Sequence, residues 1–364
     1  MEQTIGFLEQ LPYLTSLITF IIGLLTMPFV LNFAKSRNMV VRPNKRTSHT
    51  GSVPNIGGLN IFASLILIFI IMLIGGKMRP PFFIGFCLIF IIGFIDDRLV
   101  LSAYWKIVGE TLCALFLIYF ADIRITYLYG IFGIYELHPM ISYALSYLAY
   151  MVIINALNLI DGVDGLASGL SILYFLFFGI WFLLAGITYY SVICFAVIGS
   201  LTVFFLYNVF GRSKRKIFMG DSGSLMLGYI ISATVIIFLE KNKIPTDSIL
   251  YFPNAPVTVL TVIFIPIFDV FRVSITRLKN KKSVLTADKN HIHHLLLRLG
   301  MSHKQVTFLL LAITLVYFFI AIVLKDYSLW VQLFIILLIG CMIIFIIWKF
   351  INIKNQKQNN ETLN

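Results

Sequence analysis

The 364-residue chain is 59% hydrophobic and only 12% charged, against about a quarter charged in an ordinary soluble domain, which excludes a water-soluble globule. Its formal charge of +12 sits in short segments between apolar runs, a pattern of membrane topology and anionic-lipid attraction, so no nucleic acid is expected as a partner. The four cysteines, Cys87, Cys113, Cys194 and Cys341, are widely spaced inside apolar runs, which excludes a Cys/His zinc pattern and leaves them as small buried hydrophobes.

About eleven apolar runs follow one another, near 13–34, 56–75, 81–95, 102–121, 140–157, 167–186, 189–210, 223–239, 256–275, 305–324 and 329–350. Each approaches the roughly 20 residues a helix needs to cross a bilayer. They predict an all-α, polytopic membrane helix bundle, a single domain over 1–351 with a short polar tail at 352–364. The start, Met1-Glu2-Gln3-Thr4, lacks the basic segment of a cleaved signal, so the first run is expected to stay as a helix. If that helix runs inward, 21 of the 28 Lys and Arg fall on the inner side. Six fall outside: Lys77, Arg79, Arg124, Lys241, Lys243 and Lys325. The bias puts the N-terminus outside and the C-terminus in the cytoplasm.

Five of the 16 acidic residues lie in three polar islands, all on that inner side. Carboxylates at a membrane edge are costly and therefore candidates for function. Ahead of them, the first inner loop carries Lys45 and His49 among other basic residues, then Gly57-Gly58 where a helix re-enters. Cations there suit phosphate, and glycines there permit close backbone approach. Asp96-Asp97-Arg98 ends the third run; adjacent carboxylates can hold Mg2+ or act as base and orienter, or simply form an ion-paired cap. Asn155, Asn158 and Asp161 share one helix stripe, and Gly162, Asp164 and Gly165 then break the helix into a polar turn. Gly220-Asp221-Ser222-Gly223-Ser224 offers a carboxylate and free N–H groups at a helix start, a place for Mg2+ bound to phosphate, or an ordinary N-cap. In the last long inner loop, His291, His293 and His294 lie beside Arg298 without a cysteine, which suits phosphate or sugar hydroxyls better than zinc. His138 and His303 read as structural or exposed, and Asp269 as the ion-pair partner of Arg272 three residues on.

In combination, Asp96-Asp97, Asn155-x-x-Asn158-x-x-Asp161-Gly-x-Asp164-Gly-Leu, Phe218-Met-Gly-Asp221-x-Gly-Ser-Leu and His291-Ile-His293-His294 resemble the polyprenyl-phosphate N-acetylhexosamine-1-phosphate transferases. That family includes the phospho-MurNAc-pentapeptide translocases and the bacterial undecaprenyl-phosphate GlcNAc-1-phosphate transferases. The resemblance runs over roughly residues 35 to 304. It implies transfer of a sugar 1-phosphate from a UDP-sugar to undecaprenyl phosphate in the bacterial inner membrane, with release of UMP. It also implies a Mg2+ requirement, with Mn2+ as a substitute, and leaves a homodimer open.

By the same resemblance, Asp221 is the metal ligand, and Asp96 and Asp97 act on the lipid phosphate. Asn158, Asp161 and Asp164 form the nucleotide and catalytic loop, and the three histidines lie near the sugar phosphate. Lys45, His49, Asn155 and Arg298 complete the substrate-binding candidates. The His-Ile-His-His motif and an eleventh span ending inside favour the GlcNAc-1-phosphate branch. Ser283-Val284-Leu285 stands where that branch often has Ser-Pro-Phe, so GlcNAc is the first sugar expected, with GalNAc, QuiNAc or FucNAc-type donors behind it. A secondary transporter is the competing class, but its sites belong near the bilayer midplane in broken helices, whereas these clusters share one face.

Overall fold

The computed structural model describes residues 6, 8–37, 39–41, 53–211, 215–243, 250–281 and 290–363. The loop bearing Lys45 and His49 and the segment Ser283-Val284-Leu285 lie outside these. In chain order the elements are α1 (Leu14–Ser36), β1 (Val40–Val41), β2 (Val53–Pro54), α2 (Gly57–Ile74), α3 (Pro80–Leu99) and α4 (Ala103–Leu115), which a π turn (Phe116–Phe120) continues. There follow β3 (Tyr127–Ile131), β4 (Ile134–Glu136), α5 (Pro139–Ile160), α6 (Leu166–Leu184), α7 (Thr188–Val209) and α8 (Gly220–Asn242). The chain continues through α9 (Ala255–Val262), α10 (Phe264–Lys279), α11 (Ile292–Arg298), α12 (His303–Val323) and α13 (Leu329–Leu363). β1 pairs with β2 and β3 with β4, each antiparallel, so among the described residues strand is confined to two small ribbons in a helical bundle.

Among the described residues nine helices are long and apolar enough to cross a membrane, or ten if α9 and α10 count as one span. α3 is not among the nine, but its path is set by its ends. α2 begins hydrogen-bonded to Phe218 and Met219, and the last turn of α3 carries Asp97, which is bonded to Asp221, so α3 retraces the length of α2. The run at 256–275, expected as one span, bends by 83° between α9 and α10. Pro266 explains the break: it has no N–H for the carbonyl of Val262, and its ring clashes with that carbonyl in a continuous helix.

α8 is the axis of the bundle. It is almost wholly buried and packs against α2, α3, α5 and α6. Its first turn can sit so close to two neighbours because each meets it with a glycine. A Cβ on Gly58 would fall 2.4 Å from the Gly223 nitrogen, and one on Gly93 would fall 2.5 Å from Ser222 Cα. Small residues at such crossings let backbones approach where no hydrophobic effect drives the helices together. The outer helices show the opposite surface: Phe29 of α1, Phe319 of α12 and Phe345 of α13 are exposed, as lipid-facing side chains would be.

Gly93→Val should therefore unseat the start of α8. Overpacking costs about 1–3 kcal/mol where neighbours can give way, and here the neighbour is backbone. A marked drop in the thermal transition of the detergent-purified protein is the expected result, and an unchanged transition would contradict this packing.

Candidate active site

The site is built where the first residues of α8 meet the entry to α2. Asn55 bridges to Phe218 in parallel, Phe218 N–H donates to Pro54 O (2.8 Å), and Gly57 and Gly58 N–H donate to Phe218 O (2.8 Å) and Met219 O (2.9 Å). Two orphan donors of the α2 N-terminus are thereby satisfied. Gly220 then turns the chain with φ +74°, and a Cβ there would fall 2.5 Å from an Asp97 oxygen, so only glycine fits. Asp97 Oδ1 accepts from Asp221 N–H (2.7 Å) and Asn55 Nδ2 (3.0 Å), and Oδ2 accepts from Ser222 N–H (3.0 Å) and Ser222 Oγ (2.7 Å). A carboxylate from α3 thus caps α8, where the helix dipole favours an anion.

Above this floor opens a cavity of about 430 Å³, lined by Asp97, Asp161, Asp164, Asp221, Asn158, His294 and His303 among others. The stripe from Asn155 to Asp161 ends α5 as the spacing predicts, and the turn before α6 runs through Gly165 at φ +75°. Asn158 Nδ2 donates to Asp221 Oδ1 and to Ser224 Oγ (2.8 Å). Lys106 of α4 lies 2.9 Å from Asp221 Oδ1 and 3.1 Å from Asp96 Oδ2, binding both acids at once. Asp164 Oδ2 is 2.6 Å from Lys216 Nζ and 3.2 Å from His303 Nδ1. Burial works against the Asp164 anion, but His303 and Lys216 outweigh it and hold the carboxyl below its ordinary range.

Asp161 differs. Among the described residues its carboxylate takes no hydrogen bond, and burial, followed by the nearby anions of Asp221, Asp97 and Asp164, pushes it well above the ordinary range.

The histidine segment is held from α10. Asp269 Oδ2 meets His291 Nδ1 (2.9 Å), while Oδ1 accepts from Ile292 N–H (3.0 Å) and Arg272 (2.6 Å). The expected Asp269–Arg272 pair is present, but the same carboxylate also caps α11 and fixes His291. His291 and His293 stack with ring centroids 5.8 Å apart, and His293 Nε2 packs against Gly162, where a Cβ would fall 2.5 Å away. Only His294 of the three lines the cavity. Three other candidates stand back from it. Asp96 is buried beneath and also accepts from Leu101 N–H (2.7 Å), Asn155 donates to Glu110 (2.8 Å), and Arg298 is exposed with its carbonyl on Lys354 (3.1 Å).

Residues 80–239 match the model of glycosyl transferase family 4. The chain is also 33% identical, over 82% of each chain, to the undecaprenyl-phosphate alpha-N-acetylglucosaminyl 1-phosphate transferase of Pasteurella multocida. It is 30% identical to the Escherichia coli K12 protein of that name, over 79% of this chain and 76% of the relative. With a probable undecaprenyl-phosphate N-acetylglucosaminyl 1-phosphate transferase of Bacillus subtilis it shares 33% over 88% of each chain. The chain belongs to glycosyl transferase family 4.

Several residues that line this transferase's cavity or pair with its acids are not among those the sequence singles out. Lys106 is one of the 21 inward Lys and Arg, although a lone lysine inside an apolar run is itself a signal. Lys216 was hidden in a basic run, and His303, expected to be structural or exposed, instead lines the cavity and holds Asp164. Asn55 carried no signal in its turn-rich loop.

The oxygen donors suit a hard divalent cation. Among the described residues no three acids, histidines or cysteines gather closely enough to hold a metal alone. Mg2+ is commonly bound by one or two carboxylates completed by water and substrate phosphates. Asp161, without a side-chain hydrogen bond among the described residues and crowded by anions, together with Asp221, are the residues that would hold it.

Two outcomes are expected here. Asp269→Asn leaves the half-buried Arg272 without its anion, and breaking a fully buried pair costs about 3–5 kcal/mol, an upper bound here. The variant should show a lower thermal transition and faster hydrogen exchange at residues 291–294, while unchanged exchange would leave Asp269 a simple ion-pair partner. Burial, then the adjacent His294 imidazole, pushes His293 down to about 3. The unfolded chain then binds the extra proton below about 6.5, so this histidine lowers stability as pH falls, by about 2 kcal/mol from neutrality to pH 5. His293→Gln should flatten the fall in melting temperature between pH 7 and 5; an unaltered slope would contradict the assignment.

Proposed function

We propose that this transferase moves an N-acetylhexosamine 1-phosphate, GlcNAc 1-phosphate first, from a UDP-sugar to undecaprenyl phosphate and releases UMP. The observation that carries the reading is the aspartate-lined cavity at the α8 N-terminus, with Lys106, Lys216, His294 and His303 around it. The names of the relatives support the acceptor and the sugar. The Lys/Arg bias supports a multi-pass protein of the bacterial inner membrane, N-terminus outside, C-terminus and cavity facing the cytoplasm.

The reaction forms a bond between an oxygen of the lipid phosphate and the β-phosphorus of the donor. The bond from that phosphorus to the bridging oxygen breaks, and its electron pair leaves with UMP. Catalysis of such a step is largely alignment and neutralisation of charge. A phosphate monoester has a second pKa of about 6, so the attacking group is mostly dianionic at neutral pH without a protein base. Asp97, whose oxygens each take two hydrogen bonds, serves to fix the α8 N-terminus. Lys106 keeps Asp96 and Asp221 in place beside the cavity, and Lys216 and His303 do the same for Asp164. Mg2+, or Mn2+ in its stead, would neutralise donor phosphate charge when bound to Asp161 and Asp221. His294 is positioned to donate to a phosphate or sugar oxygen.

The test is UMP release by purified protein given Mg2+, undecaprenyl phosphate and a panel of UDP-sugars one at a time. Release should require both lipid and divalent cation, be greatest with UDP-GlcNAc, and fall about a hundredfold or more in Asp221→Asn. Folded protein that releases nothing with any donor, or releases UMP undiminished in a chelator, would overturn the proposal.

A further inference from the structure

A second polar site lies at the far end of the same central helix. From Asp221 to Lys241 α8 rises about 30 Å at 1.5 Å per residue, the thickness of a hydrocarbon core. There a polar cavity of about 270 Å³ is lined by Arg79, Asp122, Tyr190, Glu240, Lys241 and Lys243. It adjoins a narrow apolar slot between α3, α6, α7 and α8, lined by Phe82, Phe182, Ile193, Ile230 and Ala233. Arg79, Ile123, Tyr190 and Ile237 belong to both, so a polar chamber and an apolar slot share one wall.

The charge here runs against the topology. Of the six Lys and Arg that the inward bias leaves on this side, Lys77, Arg79, Lys241 and Lys243 line these two cavities. Cations are sparse on this side of a membrane protein, and their gathering around one opening needs a reason. The nearby acids are already taken: Asp122 pairs with Arg124 (2.7 Å), Glu240 with Lys243 (3.1 Å) and Glu9 with Lys77 (3.0 Å). Glu240 also accepts from Thr126 N–H and Oγ1, both at 2.7 Å. Arg79 and Lys241 have no carboxylate partner among the described residues; Arg79 donates to the carbonyl of Ala121.

We propose that this end of the bundle holds an anionic phospholipid. Its phosphodiester lies between Arg79 and Lys241, and the first methylenes of one acyl chain reach the slot of about 40 Å³ beside Phe82 and Phe182. A phosphate oxygen suits the guanidinium fork and the ammonium together, and an attached chain supplies what the apolar slot excludes water for. The site does not depend on the catalytic reading; its assignment to the outer leaflet and the scarcity of cations on that side rest on the proposed orientation.

The experiment uses the full chain, purified and delipidated in detergent. Native mass spectrometry and melting temperature are followed with phosphatidylglycerol, phosphatidylcholine and sn-glycerol 3-phosphate. Phosphatidylglycerol should remain bound and raise the melting temperature, while phosphatidylcholine and the headgroup alone should do neither. Lys241→Gln, an exposed substitution, should weaken retention about fivefold, and Arg79→Gln with Lys241→Gln should abolish it. Equal retention of phosphatidylcholine, equal stabilisation by glycerol phosphate, or undiminished retention in the correctly melting Lys241→Gln protein would each overturn the proposal.

Discussion

Asp97 joins three separate parts of the chain. It belongs to the last turn of α3, it takes Asn55 from the entry to α2, and it accepts the first free N–H groups of α8. The bond set is possible only because Gly220 turns with positive φ and because Gly58 and Gly93 bring two backbones against the head of α8. Capping by a side chain from another helix does two things at once. It supplies acceptors to donors that a buried helix end must satisfy, and it fixes the height of α8 relative to α3. Asp221 projects from the next residue, so its position in the cavity follows from that seat. A carboxylate committed to four donors is poorly suited to shuttle a proton, which separates Asp97 from the aspartates beside it.

Five aspartates near one cavity would repel one another, and the lysines answer the problem unevenly. Lys106 reaches Asp96 and Asp221, and one turn further along α4 the buried Glu110 adds another acid beneath it, held by Asn155. Lys216 and His303 settle Asp164. Asp161 receives no such partner among the described residues and sits in the combined field of its neighbours. Each of the five aspartates but one is thus compensated from within the protein. The uncompensated carboxylate is where an added cation gains most, because it relieves burial and repulsion together.

The polar islands were legible in the sequence because a carboxylate or asparagine between apolar runs has few cheap explanations. The break of α5 into the Asp161–Gly165 turn was legible for the same reason, with glycines marking where the helix stops. Gly57-Gly58 was legible as a place of close approach, though not its partner, since nothing local says that the backbone of Phe218 and Met219 lies there. Lys106 was overlooked because a basic residue near a helix end also serves topology, and its two acid partners come from α3 and α8. His303 looked isolated in sequence and acquires its role only when α12 packs against α6 and brings it to Asp164. Pro266 marked the bend between α9 and α10, but the run around it is apolar enough to pass as one span.

Asp269 shows why local pairing rules can mislead at such a site. An Asp with Arg three residues on satisfies the helix-surface pattern, and the pair does form. Yet the carboxylate is buried, and a buried acid must fill more of its acceptor capacity than one arginine provides. The remaining lone pairs are met by His291 and the Ile292 N–H, from a segment more than twenty residues away. The ion pair visible in the sequence is therefore the smaller part of what Asp269 does. Burial of the carboxylate converts a surface motif into the anchor of the histidine segment, and that conversion is set by the packing of α10 rather than by the spacing of its residues.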